Sequence, residues 1–155
     1  MALRAEVVLG VLVIGWSGSA AAQDGRADVL RTLQAFTDGI RAKDTVAIAE
    51  QMDGAARFTL TRPTSGGSKV SAMTTSEFMK AAVRPDGPAI DEVIRNPIVQ
   101  VDGDLATVWA EYQVRIEGKV SHCGYDGFHL FRSGGKWRIL HVSDTLKREG
   151  CGEAW

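Results

Sequence analysis

The chain has 155 residues with a formal net charge of -1, and 45% of the residues are hydrophobic and 24% charged. This length supplies one domain with a sizeable core and is short for two. The near-zero charge, without any run of Lys or Arg, argues against nucleic acid and against an anionic membrane surface as partners.

The first 22 residues have the pattern of an export signal. Arg4 makes the start basic, residues 7–16 (VVLGVLVIGW) are apolar, and residues 17–22 (SGSAAA) are small, as a cleavage site requires. The apolar run is well short of the roughly 20 residues that a transmembrane helix needs. We therefore expect residues 1–22 to be a cleaved signal peptide, and residues 23–155 to be exported, periplasmic or secreted, without membrane attachment.

Export changes how the two cysteines are interpreted. In an oxidising compartment Cys123 and Cys151 form the only possible disulfide, so a single connectivity is available. Closing this loop would add about 3 to 4 kcal/mol of stability in the chain-entropy model. The alternative, two unpaired thiols, stays open.

Two helices are predicted directly after the signal. In residues 28–42 the apolar side chains recur with helical period and would form one buried stripe. The stripe consists of Val29, Leu33, Phe36 and Ile40. Asp44 is placed to cap a second, shorter helix over residues 45–52.

Short strands and a third helix come next. Residues 57–62 and residues 69–73 each fit a short strand. Thr74 and Glu77 then form a capping box, because each side chain can accept a hydrogen bond from the backbone N–H of the other residue. This box predicts a helix that continues to Val83.

Four strand-like runs occupy residues 90–145. Gly134-Gly135 joins the last two runs as a hairpin, because both glycines accept a positive φ. Gly118-Lys119 and Asp102-Gly103 are the turns between the earlier runs. Helices followed by an antiparallel meander predict an α+β fold.

This order of elements, together with the ending G-F-x-L-x-R-x-x-G-K-W-R-I over residues 127–139, resembles the NTF2-like superfamily, in particular its SnoaL-like and ketosteroid-isomerase-like branches. The resemblance covers residues 23–155. It implies an NTF2-like cone, in which a curved antiparallel sheet wraps around the N-terminal helices and encloses a pocket. The superfamily includes isomerases, cyclases, dehydratases and many non-enzymatic binding modules, so the resemblance predicts the fold and leaves the function open.

The tight turns predict which side chains share a face of the sheet. Loops at Gly118-Lys119 and Gly134-Gly135 would pair Glu117 with Val120 and Ser133 with Lys136. The first face would hold Ile94, Asn96, Ile98, Thr107, Trp109, Glu111, Arg115, His122, Asp126, Phe128, Leu130, Ile139, His141 and Ser143. The second would hold Val99, Ala106, Val108, Ala110, Tyr112, Tyr125, Gly127, His129, Phe131, Leu140 and Val142. We expect the first face to be concave, although a β-bulge, for instance at Gly124 or Gly127, would exchange the faces beyond it.

The predicted concave face supplies candidate catalytic residues. Glu111 and Asp126 would lie opposite each other, so that one of them holds a proton near neutral pH. His141, diagonal to Asp126, would relay or orient that proton. The alternative is a solvent-facing carboxylate and a histidine that serves only as a structural hydrogen-bonding group.

The predicted ligand contacts are aromatic. Trp109, Phe128 and Trp137 would form the pocket wall, and His122 would lie near its mouth. The three histidines are spread over two faces without ligand spacing, so no metal is expected. No dinucleotide or phosphate-loop motif occurs in the sequence, and no cofactor is expected either.

The ketosteroid isomerase reaction is disfavoured by two positions. The catalytic tyrosine of those enzymes would fall on Phe36, which has no hydroxyl, and their aspartate base would fall on Arg62, before Pro63. The leading hypothesis is an exported domain that binds a small, largely apolar molecule. One alternative is an isomerase, dehydratase or cyclase that uses Glu111, Asp126 and His141. Another is a homodimeric interaction module that pairs through the face around Ala106 and Ala110.

Overall fold

The computed structural model of the chain describes residues 18–155, with side chains from residue 25 onward. Residues 1–17 of the predicted signal peptide lie outside the described residues, and residues 18–22 begin the first helix. The elements in chain order are α1 (Gly18–Ala42), α2 (Thr45–Gln51), β1 (Met52–Thr64), β2 (Gly67–Thr74), α3 (Thr75–Ala82), β3 (Ile90–Asp102), β4 (Leu105–Ile116), β5 (Lys119–Ser133) and β6 (Lys136–Thr145). In residues 18–155, no helix is both long enough and apolar enough to cross a membrane.

The six strands form one sheet in the order β2-β1-β6-β5-β4-β3. Strands β3 to β6 are the predicted antiparallel meander, and the β1–β2 hairpin joins it through a parallel pairing of β1 with β6. The helices cover the concave face, and one core draws on all three helices and on the sheet. The predicted α+β class, with a curved sheet around N-terminal helices, is confirmed.

The stripe predicted for helix α1 is its buried side. Val29, Leu33, Phe36 and Ile40 are all at most 2% exposed. Burying a side chain of this size stabilises the fold by about 1.5 to 3 kcal/mol. The stripe therefore anchors α1 in the cone.

The predicted starts of α2 and α3 are also confirmed, whereas α1 begins at Gly18, before the predicted start at Asp28. Asp44 caps α2 by accepting hydrogen bonds from the backbone N–H groups of Val46 and Ala47. Both hydrogen bonds of the capping box between Thr74 and Glu77 are present at the start of α3. Each cap satisfies backbone donors that the first helical turn leaves free.

Aromatic side chains fill the centre of the cone. The rings of Phe58 and Phe78 stack with centroids 4.1 Å apart, and Phe36 packs against both. Phe128 meets Phe36 edge to face at 6.5 Å. This part of the interior is therefore packed core, and space for a ligand has to lie elsewhere.

The predicted pairing of β4 with β5 is wrong. The turn residues are Glu117 and Gly118, both with positive φ, so that Ile116 pairs with Lys119. Ser121 is then an extra residue in β5, since Arg115 pairs with Val120 and the preceding pair is Val114 with His122. This β-bulge moves every later pair by one residue and exchanges the faces of β4 relative to β5.

The two faces are therefore mixtures of the predicted ones. Ala106, Val108, Ala110 and Tyr112 of β4 point into the cone with Asp126, Phe128 and Leu130 of β5, whereas Trp109 and Glu111 lie on the outer face. A second bulge, at Leu140, leaves His141 paired with His129 on the outer face. Neither bulge is at Gly124 or Gly127, the positions proposed from the sequence.

The chain after β6 is tied to the sheet. Lys147 continues the ladder by exchanging two backbone hydrogen bonds with Cys123, which forms a disulfide with Cys151. Gln113, fully buried, donates to the carbonyls of Cys151 and Glu153. The C-terminal tail therefore lies across the outer side of β5 and β4.

Gly124 is where the end of β6 approaches β5 most closely. A Cβ at this position would lie 2.0 Å from the carbonyl oxygen of Thr145 and 2.9 Å from the ring of Tyr112. The Tyr112 hydroxyl donates to that same carbonyl at 2.8 Å. Any side chain here would push β6 away from the sheet.

We predict that Gly124→Ala lowers the free energy of unfolding by about 2 kcal/mol, because overpacking a tight site usually costs 1 to 3 kcal/mol. Urea denaturation measures the change. Gly54→Ala is the matched control, since nothing lies within 4 Å of a Cβ placed there. Equal stability of the two variants would contradict the close approach of Thr145 to Gly124.

Candidate functional site

Polar side chains gather at one end of the cone interior. They occupy inward positions of strands whose other inward positions are apolar, as Asp126 does two residues before Phe128 and Glu92 does between Ile90 and Ile94. We call this group the polar end, and it consists of Arg62, Glu92, Tyr112, His122, Asp126 and Asp144.

Asp126 is the most enclosed member of the polar end. It pairs with Ala110 of β4 and Asp144 of β6, and it is only 4% exposed. Its Oδ2 atom has no hydrogen-bond partner in the described part of the chain. Burial raises the pKa of this carboxyl well above its ordinary value, and the negative charges of Glu92 and Asp144 raise it further. Asp126 therefore keeps its proton to a higher pH than an ordinary aspartate does.

Glu92 is the second perturbed carboxyl, and it is half-buried. Burial, followed by the charges of Asp144 and Asp91, raises its pKa to about 7. Glu92 lines a cleft of about 200 Å³ between helix α1 and strand β3. The other lining residues are Leu30, Leu33, Gln34, Thr37, Arg41, Val93, Ile94 and Pro97. The side chain with a pKa near neutrality is thus the one that faces open space.

The cleft depends on an irregularity of the edge strand β3. Asn96 has a φ of 49°, and the register shifts between Arg95 and Ile98. Pro97, inside this irregular stretch, offers no N–H for a ladder bond, which is tolerated at an edge strand. The distortion lies beside α1 and helps to shape the cleft wall.

Arg62 and Asp144 form an ion pair at the polar end. The guanidinium contacts both carboxylate oxygens, with an Nη2–Oδ2 distance of 2.8 Å, and both side chains are largely buried. A bidentate pair of this kind is held in one orientation. It fixes the negative charge of Asp144, which raises the pKa values of both Asp126 and Glu92.

Tyr112 and His122 complete the polar end as neutral groups. Burial raises the pKa of the Tyr112 phenol above its ordinary value, and the hydroxyl donates to Thr145. Burial lowers the pKa of His122, and the charges of Arg148 and Arg62 lower it further. The His122 ring meets the Tyr112 ring edge to face at 5.9 Å.

Of the three predicted catalytic candidates, only Asp126 lies inside the cone. Glu111 is on the outer face, where it accepts hydrogen bonds from Asn96 and Tyr125. His141 is also on the outer face, stacked on His129 and hydrogen-bonded to Thr59. The predicted contact between Glu111 and Asp126 is wrong, because the bulge at Ser121 puts them on opposite faces.

The predicted aromatic wall is dispersed in the same way. Trp109 is 49% exposed on the outer face and stacks on Tyr125. Phe128 is part of the packed core, and Trp137 is buried beneath the guanidinium of Arg132. His122, the fourth predicted contact, is half-buried at the polar end.

Sequence reasoning missed Glu92, Arg62 and Asp144. Each is a charged residue in phase with inward apolar residues of its strand, as Arg62 is with Phe58 and Leu60. A charge at an inward position is uncommon unless it is paired or functional. That signal was present in the sequence and could have identified them.

Among residues 18–155, no cluster of three or more His, Cys, Asp or Glu side chains has the geometry to hold a metal ion.

Comparison of the sequence with models of protein families and with curated proteins finds no match. Solved structures do match. Rv3472 from Mycobacterium tuberculosis, a protein of unknown function, is 17% identical with a TM-score of 0.70, and the match covers 88% of this chain and 80% of that one. An NTF2-like protein from Cytophaga hutchinsonii is 16% identical with a TM-score of 0.65, covering 79% of this chain and 98% of that one.

This chain has the NTF2-like fold. The resemblance drawn from the sequence is thereby confirmed at the level of the fold, while the SnoaL-like branch stays a prediction. The β subunit of a putative aromatic-ring-hydroxylating dioxygenase from Novosphingobium aromaticivorans shares the fold too, with 13% identity and a TM-score of 0.66, over 81% of this chain and 90% of that one. At such identities these structures show a shared NTF2-like fold and do not show a shared function.

We predict that Asp126→Asn stabilises the protein by about 1 kcal/mol or more at pH 8, because the buried amide is neutral without binding a proton, and one unit of pKa shift corresponds to about 1.4 kcal/mol. The raised pKa means that the folded protein binds an extra proton, so wild-type stability falls as the pH rises above about 3.8, the ordinary value for this carboxyl. The gain should therefore vanish near pH 4.

Urea denaturation at both pH values measures this difference. Asp104→Asn is the control, because the Asp104 side chain is 70% exposed and pairs with Arg132 at the surface. A variant that is no more stable than the wild type at pH 8, or a gain independent of pH, would show that Asp126 is ionised in the folded protein.

Proposed function

We propose that the cleft between α1 and β3 binds a small molecule and that Glu92 exchanges a proton with it, in the manner of an isomerase or dehydratase. The single observation behind this proposal is that Glu92, with a pKa of about 7, lines the cleft. A general acid or base works best when its pKa lies near the operating pH.

The neighbouring groups have complementary roles in this proposal. Because the pKa of Glu92 is raised to about 7, both its base form and its acid form are present near neutral pH. The raised pKa of Asp126 favours its neutral form, which limits the negative charge beside Glu92. The ion pair of Arg62 and Asp144 keeps the surrounding charge fixed while Glu92 gains or loses its proton.

The cleft also defines the shape of the ligand. Leu30, Leu33 and Ile94 offer an apolar wall, and Gln34 and Thr37 offer hydrogen-bonding groups from α1. A volume of about 200 Å³ is below the usual 300 to 1,000 Å³ of small-molecule sites. The ligand is therefore small, with an apolar body and few polar atoms.

We predict that Glu92→Gln lowers turnover by about 100-fold or more, because removing a general acid or base typically costs 100- to 10,000-fold. Deuterium incorporation from D₂O into a panel of small cyclic ketones, followed by mass spectrometry, measures the exchange. Glu111→Gln is the matched control on the outer face and should leave exchange unchanged.

The result also separates an enzyme from a binding protein. If Glu92→Gln leaves deuterium incorporation unchanged, or if the wild type incorporates none, Glu92 does not catalyse proton exchange. Titration of the Glu92 carboxyl by ¹³C NMR tests the premise independently, and a midpoint near pH 4.5, the ordinary value, would remove it.

A second candidate function, dimerisation, has its own support on the outer face of the sheet. Several large apolar side chains are exposed there, and a continuous exposed patch often marks an interface. They are Ile98 at 62%, Leu105 at 54%, Trp109 at 49%, Tyr125 at 40% and Leu140 at 39%. A homodimer through this face is the partner that we propose.

The residues named from the sequence for this interface need correction. Ala106 and Ala110 are both 1% exposed and belong to the core, because the bulge at Ser121 turns them inward. Charges at these positions would disrupt the fold and would not report on an interface.

We predict that Trp109→Glu weakens self-association at least tenfold, since it places a charge in the centre of the apolar patch. Sedimentation equilibrium measures the dissociation constant. Val70→Glu is the matched control, because Val70 is 62% exposed but lies on β2 at the other edge of the sheet. A monomeric wild type, or a dimer unchanged by Trp109→Glu, would rule out this interface.

A further inference from the structure

A second cavity lies beside the polar end and is lined mainly by cationic residues. Its volume is about 510 Å³, and its six lining residues are Arg62, Pro63, Leu146, Lys147, Arg148 and Glu149. Three of the six are cationic and one is acidic. Arg62 also belongs to the polar end, so the cavity and the polar end share a wall.

The backbone after β6 is held against β5 by hydrogen bonds. The two hydrogen bonds between Lys147 and Cys123 measure 2.9 and 3.0 Å, and they keep the same pairing frame as Asp126 with Asp144. This pairing places Arg148 opposite His122 of β5, where the charge of Arg148 lowers the pKa of His122. The disulfide between Cys123 and Cys151 closes the segment a few residues later.

The cationic charge of the cavity is only partly neutralised. Asp144 pairs with Arg62. Within residues 18–155, neither Lys147 nor Arg148 is in an ion pair, and Glu149 is the acidic residue in the lining. Two cations thus face a cavity with one nearby carboxylate. A ligand anion would be attracted there, and Arg148 could offer it a planar fork of donors.

We propose that this cavity is a binding site, separate from the cleft between α1 and β3, for a small organic anion such as a carboxylate or sulfonate with an apolar body. Arg148 and Lys147 attract the anion, and Arg62 forms the wall between the anion and the carboxyl groups of the polar end.

Two fluorescent dyes with the same ring skeleton test this proposal. 1-Anilinonaphthalene-8-sulfonate carries one sulfonate, and N-phenyl-1-naphthylamine lacks it. Fluorescence titration of the purified protein gives both dissociation constants. We expect the sulfonated dye to bind about tenfold more tightly than the neutral one, because one charge-assisted hydrogen bond increases affinity by roughly that factor.

The variant Lys147→Met together with Arg148→Met keeps the apolar stems and removes both charges. It should weaken binding of the sulfonated dye about tenfold and leave the neutral dye unchanged. Arg31→Met is the matched control, because Arg31 is a surface arginine whose side chain is 71% exposed on α1 and lines a different cavity. Circular dichroism verifies that each variant is folded.

Equal affinity for the two dyes, or a sulfonated dye that binds the double variant as tightly as the wild type, would overturn the anion site. An equal loss in Arg31→Met would also overturn it, since the effect would then be one of net charge. Failure of both dyes to bind would also overturn it. Charge-dependent dye binding without a catalytic effect of Glu92→Gln would overturn only the proposed proton exchange.

Discussion

The position of one extra residue in strand β5 controls the chemistry of the cone. Ser121 has no partner in β4. From His122 onward, the β5 side chains that face the cone therefore lie beside β4 residues that the turn alone would have placed on the outer face. Ala110 of β4 thereby comes to lie next to Asp126. A small neighbour leaves this carboxyl surrounded by apolar atoms and by other carboxyls, which is why its proton is held so firmly.

The charged groups of the polar end influence one another's pKa values. Three carboxyls share a small volume with one guanidinium, and only the carboxyl of Asp144 has that guanidinium as partner. The other two carboxyls both have raised pKa values, so they bind protons more readily than ordinary carboxyls do. The pKa of the buried Asp126 is raised well above its ordinary value, and that of Glu92, which borders the cleft, is raised to about 7. Differences in burial thus assign different behaviour to two acids of the same chemical kind.

The packed core and the space for a ligand lie in different parts of the cone. Phe36, Phe58, Phe78 and Phe128 fill the middle of the cone, so the interior is not the open apolar pocket that the sequence suggested. The space for a ligand lies at the rim, where β3 is irregular at Asn96 and where the chain leaves β6. Cleft and cavity are both found where regular pairing ends. Backbone irregularity of this kind is common beside functional sites.

Local patterns in the sequence determined the helices, their caps, the four strands of the meander and the α+β class. These features depend on neighbours within a few residues: the stripe from Val29 to Ile40 has the period of a helix, and the cap at Asp44 needs only the next three residues. Only the tertiary structure decided which residues meet inside the cone. The register between strands depends on bulges at Ser121 and Leu140, which carry no local signature, and one extra residue turns a whole strand over. For that reason Asp126 kept its predicted place on the inner face, whereas Glu111 and His141 did not. Glu92 was recognisable as a charge at an inward position, but its place in the cleft depends on the packing of α1 against β3.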